Sequence, residues 1–424
     1  MRKLIACGVV ITAALALTVP GALGGSGAAE QAPGVTARSV TIGGTFPLSG
    51  PAAAYAPIPL GMRAYFSYVN ATRTGPDKKR GVFGRQLIWK YYNDQFNPAQ
   101  TDIFTRRLVE QDRVFATVGQ LGTESNLAVR GYLNQRRVPQ TLVSTGASYW
   151  GSQGKEYPWT IGWQPDYIAE GRLYGLHIKA NHAGKKVGIL YQQDDYGKDY
   201  LYGVRNIGLG PTYSRNNISA IEDYPVGATS LTSQMLRLRN SGAQVLVLLS
   251  LTTPTVIALR TANALGFKPD AIYMNSVSAI KPVMDPLQAN PGNNYLNGLL
   301  TIAYIKDPQD ARWRNDAAMR LYRDIIAKYG GGANADDPQV MYGVAKAETF
   351  VQALYKVGKT LTRPRLMNAL TNMDSTNRFL LPGIRQKTGK KDRFIISQMQ
   401  LQRWNNGQWA EVGGVVDGRP SRGR

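Results

Sequence analysis

The stretch VFATVGQLGTESNLAVRGYLNQ (residues 114–135) decides the architecture. VFATVG (114–119) has the length and apolar character of a buried strand, and it runs directly through QLGTESN (120–126) into the helix-forming ESNLAVRGYLNQ (124–135). VSTGAS (143–148) finishes a second apolar run the same way, with small hydroxyl-bearing residues and glycine. Such endings bury almost nothing and offer only hydrogen bonds. Two strand ends with this chemistry point to a site.

On either side of this stretch, from Ser39 onward, strand-like and helix-like segments alternate. SVTIGGTF (39–46) and RQLIWKYYND (85–94) have strand character, and GMRAYFSYVN (61–70) has helix character. TDIFTRRLVEQD (101–112) is expected as a helix with Phe104, Leu108 and Val109 on one side. After GWQPD (162–166) the alternation restarts. KVGILYQQ (186–193), QVLVLLSL (244–251) and DAIYMNS (270–276) are strands; TSLTSQMLRLRNSG (229–242) and TVIALRTANALG (255–266) are helices. Near-continuous apolar strands separated by helices predict α/β lobes, each a doubly wound parallel sheet covered on both faces. Two long helices follow at 312–330 and 338–358, and the tail returns to a strand at 392–404 with no further helix.

The first residues have the form of an export signal. Arg2 and Lys3 precede an apolar run from Leu4 to Val19, and Gly27-Ala28-Ala29 is a plausible cleavage site, so residues 1–29 are set aside from the fold. A membrane anchor is the alternative reading of the same run. The single cysteine, Cys7, falls within it, which leaves the mature chain without a disulfide, a thiol nucleophile or a cysteine metal site. A chain of 424 residues with 43% hydrophobic composition can build two ordinary domains. The formal charge of +22 is spread along helical segments such as TRRLVEQDR (105–113) and MLRLRN (235–240), without a basic run interleaved with aromatics. Solvated helix faces explain it, and no nucleic-acid partner is expected.

In a doubly wound sheet the ligand crevice lies beyond the carboxyl ends of the strands, where the next helices begin. Thr123 and Ser125 stand at such a helix start, so their hydroxyls and the free backbone N–H groups suit an anion, above all a carboxylate. Gly146 and Ser148 supply a matching second edge, although Thr123 and Ser148 taken singly are equally read as helix caps. Catalytic constellations are missing. His177 and His182 are not spaced for one helical face, and there is no G-x-S-x-G, P-loop or strand-linked G-x-G-x-x-G. Adjacent Asp194 and Asp195 are better read as solvated or capping groups than as an acid/base pair. No enzyme activity, cofactor or metal is expected.

The sequence resembles the leucine/isoleucine/valine-binding family, the solute-binding proteins of ABC importers for hydrophobic amino acids. The resemblance is carried, in order, by IGGTFPLSGPAAAY (42–55), VGQLGTESN (118–126), LVSTGAS (142–148), YQQDDYGKDY (191–200) and ALRTANALGF (258–267), and it spans the chain from about Ser39 to the tail. It implies the type I periplasmic-binding fold: two lobes joined by a three-strand hinge, closing on a ligand. The implied crossings are 162–165, 299–304 and 377–382. Lobe one is then 38–163 with 303–377, and lobe two 164–302 with 378–424. By the same resemblance Thr123, Gly146 and Ser148 grip the ligand carboxylate, Tyr196 comes down from lobe two on closure, and Tyr55 lines the side-chain pocket.

Two departures from the family pattern stand out. Val277 occupies the place of the glutamate that pairs with the ligand ammonium, and Leu251 or Thr252 replaces a second pocket tyrosine. Enclosing an ammonium without a partner costs several kcal/mol. The pocket therefore suits a carboxylate on an apolar or aromatic body, unless Asp194 or Asp195 takes the glutamate's role. Tyr149, Trp150 and Trp163 are further aromatics near the site that could stack on such a body. The expectation is a monomeric, exported solute-binding protein that delivers a small hydrophobic carboxylate to an ABC permease in the inner membrane, in the periplasm or at a cell surface. A ligand-sensing receptor module with the same fold, or a hydrolase, is the alternative.

Overall fold

A computed structural model describes residues 32–280, 284, 295–389 and 392–419. The expected signal segment lies outside these residues. Among the described residues, the strands form a five-stranded, a seven-stranded and a two-stranded sheet.

The first sheet contains β1 (Ser39–Phe46), β2 (Gln86–Asn93), β3 (Thr117–Val118), β4 (Gln140–Val143) and β5 (Thr160–Gly162), in the order β2-β1-β3-β4-β5 and wholly parallel. Its helices are α1 (Ile58–Ala71), α2 (Pro98–Arg106), α3 (Thr123–Gln135) and the short α4 (Tyr149–Ser152). Val40, Ile42 and Phe46 of β1 are fully buried, as expected of a strand covered on both faces. Two segments are shorter than the sequence suggests. Only Thr117–Val118 of the 114–119 run is strand, and the helix expected over 101–112 ends as an α-helix at Arg106 and widens into a π-helical turn, Arg107–Gln111.

After β5 the chain enters the second unit through α5 (Tyr167–Asn181), β6 (Val187–Gln192), α6 (Asp195–Tyr202), α7 (Gly210–Asn217), β7 (Ile218–Tyr224), α8 (Thr232–Asn240), β8 (Val245–Leu249), α9 (Thr252–Ala264), β9 (Ala271–Met274) and β10 (Leu300–Ala303). Helices α10 (Ala317–Tyr329), α11 (Pro338–Val357) and α12 (Arg363–Thr371) follow, then β11 (Asp374–Ser375), β12 (Gln386–Lys387), β13 (Gln398–Asn405) and β14 (Gln408–Asp417). The second sheet has the order β14-β13-β10-β9-β8-β6-β7. It is parallel from β7 to β10, but β13 and β14 join antiparallel, so the expected all-parallel sheet is mixed at one edge. A hairpin can be added to an edge without a crossover helix, which is why the tail needs none.

The late helices return to the first sheet. On α1, a Cβ added at Gly61 would lie 2.0 Å from the Val340 carbonyl oxygen, and on α11 one at Gly343 would lie 2.1 Å from that of Ile58. Two helix backbones approach this closely only where both lack side chains. α10 begins at Ala317, later than expected, because the Asp316 carboxylate caps it at the Met319 N–H. α12 was not foreseen, although Thr362 caps it and Pro364 lies in its first turn.

The chain runs between the sheets as neighbouring, hydrogen-bonded segments. The Ile396 N–H donates to Trp163 O (2.9 Å), the Leu381 N–H to Tyr304 O (3.0 Å), and the Lys306 N–H to Phe379 O (3.0 Å). Among the described residues, no helix is long and apolar enough to cross a membrane.

Candidate ligand-binding cleft

The carboxyl ends of the two sheets face one cleft of about 1170 Å³, its solvent-open mouth included.

On the first side the chain leaves β3 through Gly122, whose φ of +100° puts it in a region that disfavours side chains, and enters α3 at Thr123. The first N–H groups of a helix have no intrahelical partner. Thr123 Oγ1 lies 2.7 Å from Thr145 Oγ1, and both hydroxyls line the cleft. Together they form a polar edge beside a helix N-terminus, suited to an anion.

On the second side the lining includes Asp194, Tyr196, Leu251, Ser276 and Val277. Tyr55 reaches across from the first side. Its hydroxyl donates to Val277 O (3.2 Å) and accepts from Thr252 Oγ1 (2.9 Å). The Tyr196 hydroxyl accepts from Asn275 Nδ2, and the ring meets Tyr167 edge-on at 5.2 Å. Burial pushes the phenols of Tyr55 and Tyr196 above their ordinary range, so both stay neutral.

Of the seven residues singled out in the sequence, Tyr55, Thr123, Tyr196 and Val277 line the cleft; Gly146, Ser148 and Thr252 stand behind its wall. Ser148 is engaged elsewhere: its N–H and hydroxyl both donate to the Asp199 carboxylate, at 2.7 and 3.1 Å. Gly146 accepts the Tyr167 N–H at 2.8 Å, and a Cβ there would lie 2.2 Å from Pro165 O. Its role is to let the crossing segment pass. Thr145, one residue before Gly146, is the residue that presents its hydroxyl. Tyr149, Trp150 and Trp163 also stand behind the lining: Tyr149 donates to Asp195 (3.0 Å), Trp150 is buried, and Trp163 packs edge-on against Tyr342 at 4.9 Å.

The carboxylates near the expected ammonium position are occupied. Asp194 faces the cleft, but Oδ1 caps α6 at the Gly197 N–H (3.0 Å) and Oδ2 accepts from Gln192 Nε2 (2.5 Å). Asp195 does not line the cleft and accepts from Tyr149. A third group escaped the sequence reading. Glu170 is buried behind the turn that carries Val277, and its carboxylate accepts from Tyr174 (2.7 Å), Tyr200 (2.9 Å), the Ser276 N–H (2.7 Å) and the Ser276 hydroxyl (2.8 Å). Burial pushes its pKa up against these bonds. It holds the turn in place and has no oxygen left to offer a ligand. Its only signal in the sequence is an acidic residue at a core position of α5.

His177 hydrogen-bonds Tyr273 at 2.7 Å, and both histidine rings pack on that tyrosine outside the cleft lining. Among the described residues, no group of three or more histidine, cysteine, aspartate or glutamate side chains is placed to hold a metal.

The sequence profile of the periplasmic binding protein family matches residues 39–408. Leu/Ile/Val-binding protein homolog 8 of Brucella abortus (strain 2308) is 23% identical over 232 residues, 54% of this chain and 54% of that protein. The chain thus spans about half the length of the curated relatives it matches. Among solved structures, a branched chain amino acid ABC transporter protein from Thermus thermophilus with bound valine superposes with a TM-score of 0.75 at 16% identity, over 90% of this chain and 97% of that one. A fatty acid ABC transporter substrate-binding protein from Thermomonospora curvata superposes with a TM-score of 0.73 at 18% identity, over 92% and 95%. At such identities the structures speak for the fold alone. The profile match, over most of the length, carries the family: this chain belongs to the periplasmic binding proteins.

Proposed function

We propose that this chain is the extracytoplasmic solute-binding component of an ABC importer and that it captures a small hydrophobic carboxylate between two closing lobes. The observation that carries this reading is the pairing within one cleft of a Thr123–Thr145 hydroxyl edge at the N-terminus of α3 with a wall containing Tyr55, Tyr196, Leu251 and Val277. The polar edge receives the carboxylate; the wall receives its apolar or aromatic body.

Lobe one is 38–163 with 303–377 and lobe two 164–302 with 378–424, with residues 1–29 as the export signal. The protein works as a monomer, does no chemistry on the ligand, and presents its closed form to the permease. The relatives support the class: one is named as a leucine, isoleucine and valine binder homolog, one structure holds valine, and one is named for fatty acids. Between amino acids and amine-free acids, Val277 at the turn favours the latter: Glu170 behind it has both oxygens doubly engaged, Asp195 does not line the cleft, and each oxygen of Asp194 already accepts one hydrogen bond.

The test is a thermal-shift screen with leucine, isoleucine, valine and phenylalanine beside 4-methylpentanoate and phenylacetate. A ligand at about a hundred times its dissociation constant adds roughly 2.7 kcal/mol of stability. The amine-free acids are expected to raise the melting temperature more than the amino acids do. The reverse order would return the ammonium-pairing role to Asp194, and no shift by any of them would refute the carboxylate reading.

A further inference from the structure

Lys346 lies in the middle of α11, fully buried, and forms no ion pair among the described residues. Its Nζ donates to Ser144 Oγ and to Tyr342 Oη (2.9 Å), two hydroxyls that line the cleft. Neither hydroxyl depends on it: Ser144 donates onward to Gly119 O (2.7 Å) and Tyr342 to Gln164 Oε1 (2.6 Å). The nitrogen also sits over the ring faces of Tyr342 (4.4 Å) and Trp163 (4.8 Å), where a cation is favoured.

We propose that Lys346 is a charge-compensating residue of this cleft, behind the paired lining cations Lys306 and Arg312: it takes up a proton from solvent as a carboxylate binds, and its ammonium, one hydroxyl removed from the cleft at Ser144 and Tyr342, attracts the bound anion through space. The proposal rests on the carboxylate reading above. Two N–H donors satisfy Ser144 and Tyr342, which a neutral amine already provides. The third proton makes the ammonium, and the aromatic faces and an anion in the cleft are what stabilise it.

The groups facing the amine contain no competing charge. Tyr342 comes from α11, Ser144 from the end of β4, Trp163 and Gln164 from the crossing after β5, and Gly119 with the Met62 side chain from the β3 end and α1. Glu348, two residues further along α11, is bound to Arg378 at 2.6 Å. Burial, with no charged neighbour to offset it, pushes the Lys346 pKa well below the ordinary lysine range.

The sign follows from linkage. A lysine whose folded pKa is lowered binds fewer protons than in the unfolded chain, so the unliganded protein gains stability as pH rises from the folded value toward the unfolded one. A bound anion raises the folded pKa again, so binding takes up a proton and weakens with rising pH between the free and bound values.

The experiment is calorimetric titration of the full-length protein with 4-methylpentanoate, and with its neutral amide, in buffers of different ionisation enthalpy. Wild type is expected to take up about one proton per acid bound, with affinity falling up to about tenfold per pH unit in the linkage window. Lys346→Met is expected to lose the uptake and at least about tenfold of acid affinity, to leave amide binding unchanged, and to melt higher than wild type without ligand. Acid binding without proton uptake would overturn the proposal and leave the carboxylate reading standing. Failure of wild type to bind any acid of the thermal screen would overturn both. Should Lys346→Met not fold, the proton count on wild type still decides.

Discussion

Thr123 shows what one side chain contributes here and how it can be tested. Its hydroxyl is shared with Thr145 at 2.7 Å, at the start of α3. Thr123→Ala is expected to weaken carboxylate binding by about 1.5–3 kcal/mol, the range for hydrogen bonds to charged groups, with the melting temperature of the free protein nearly unchanged. Titration calorimetry with the best acid of the screen measures it, and wild-type affinity would remove Thr123 from the site. At this scale the sequence was legible in part. A hydroxyl-rich strand end marks where a site can form, because it is unsuited to burial, but it does not say which hydroxyl turns inward. Thr145 faces the cleft, whereas Ser148, three residues on, is claimed by Asp199 from a distant helix. That partner is separated from it by 51 positions, beyond the reach of local pattern. Lys346 and Glu170 were invisible for a related reason: a charged residue on a helix is ordinarily solvated, and only the packing shows that these two are not.

The elements were easier to foresee than their partners. α11 was legible at both ends, with Pro338 at its first position and Gly358 just past its last. β1 was legible because eight residues with little charge rarely do anything but cross a covered sheet. The contact between α1 and α11 was not, since Gly61 and Gly343 lie 282 positions apart and a lone glycine in a helix carries no address. Gly343→Ala tests that contact. The new methyl meets the Ile58 carbonyl oxygen at 2.1 Å, and backbone cannot swing aside as a side chain does. Overpacking typically costs about 1–3 kcal/mol, and this variant is expected at or above the upper end despite alanine's better helix propensity. Chemical denaturation of the purified protein gives the value, and unchanged stability would show that the helices can separate freely.

Between the two sides of the cleft, the conformation described is held by polar contacts as well as by the tyrosines. Asp199 takes two hydrogen bonds from Ser148, Tyr149 donates to Asp195 (3.0 Å), and the Asp195 N–H donates to Glu124 (3.1 Å). Asp199→Ala removes two of these at once. The closed population is expected to fall, with about 1.5–3 kcal/mol of ligand affinity lost. The loss should be chiefly a faster dissociation rate. Small-angle scattering of the free variant is expected to give a larger radius of gyration than wild type, and identical scattering with unchanged dissociation would rule these bonds out as a latch.

The segments linking the sheets carry a different consequence. The Trp163, Tyr304–Lys306 and Phe379–Leu381 backbones are bonded to one another or, for Trp163, to Ile396 just before β13, so each half of the molecule is assembled from pieces of chain that are far apart in sequence. The second sheet cannot be completed on the ribosome until β13 and β14 have emerged. An unfinished chain that ends before Phe379 carries a completed first sheet whose late helices are present but whose second sheet lacks β13 and β14.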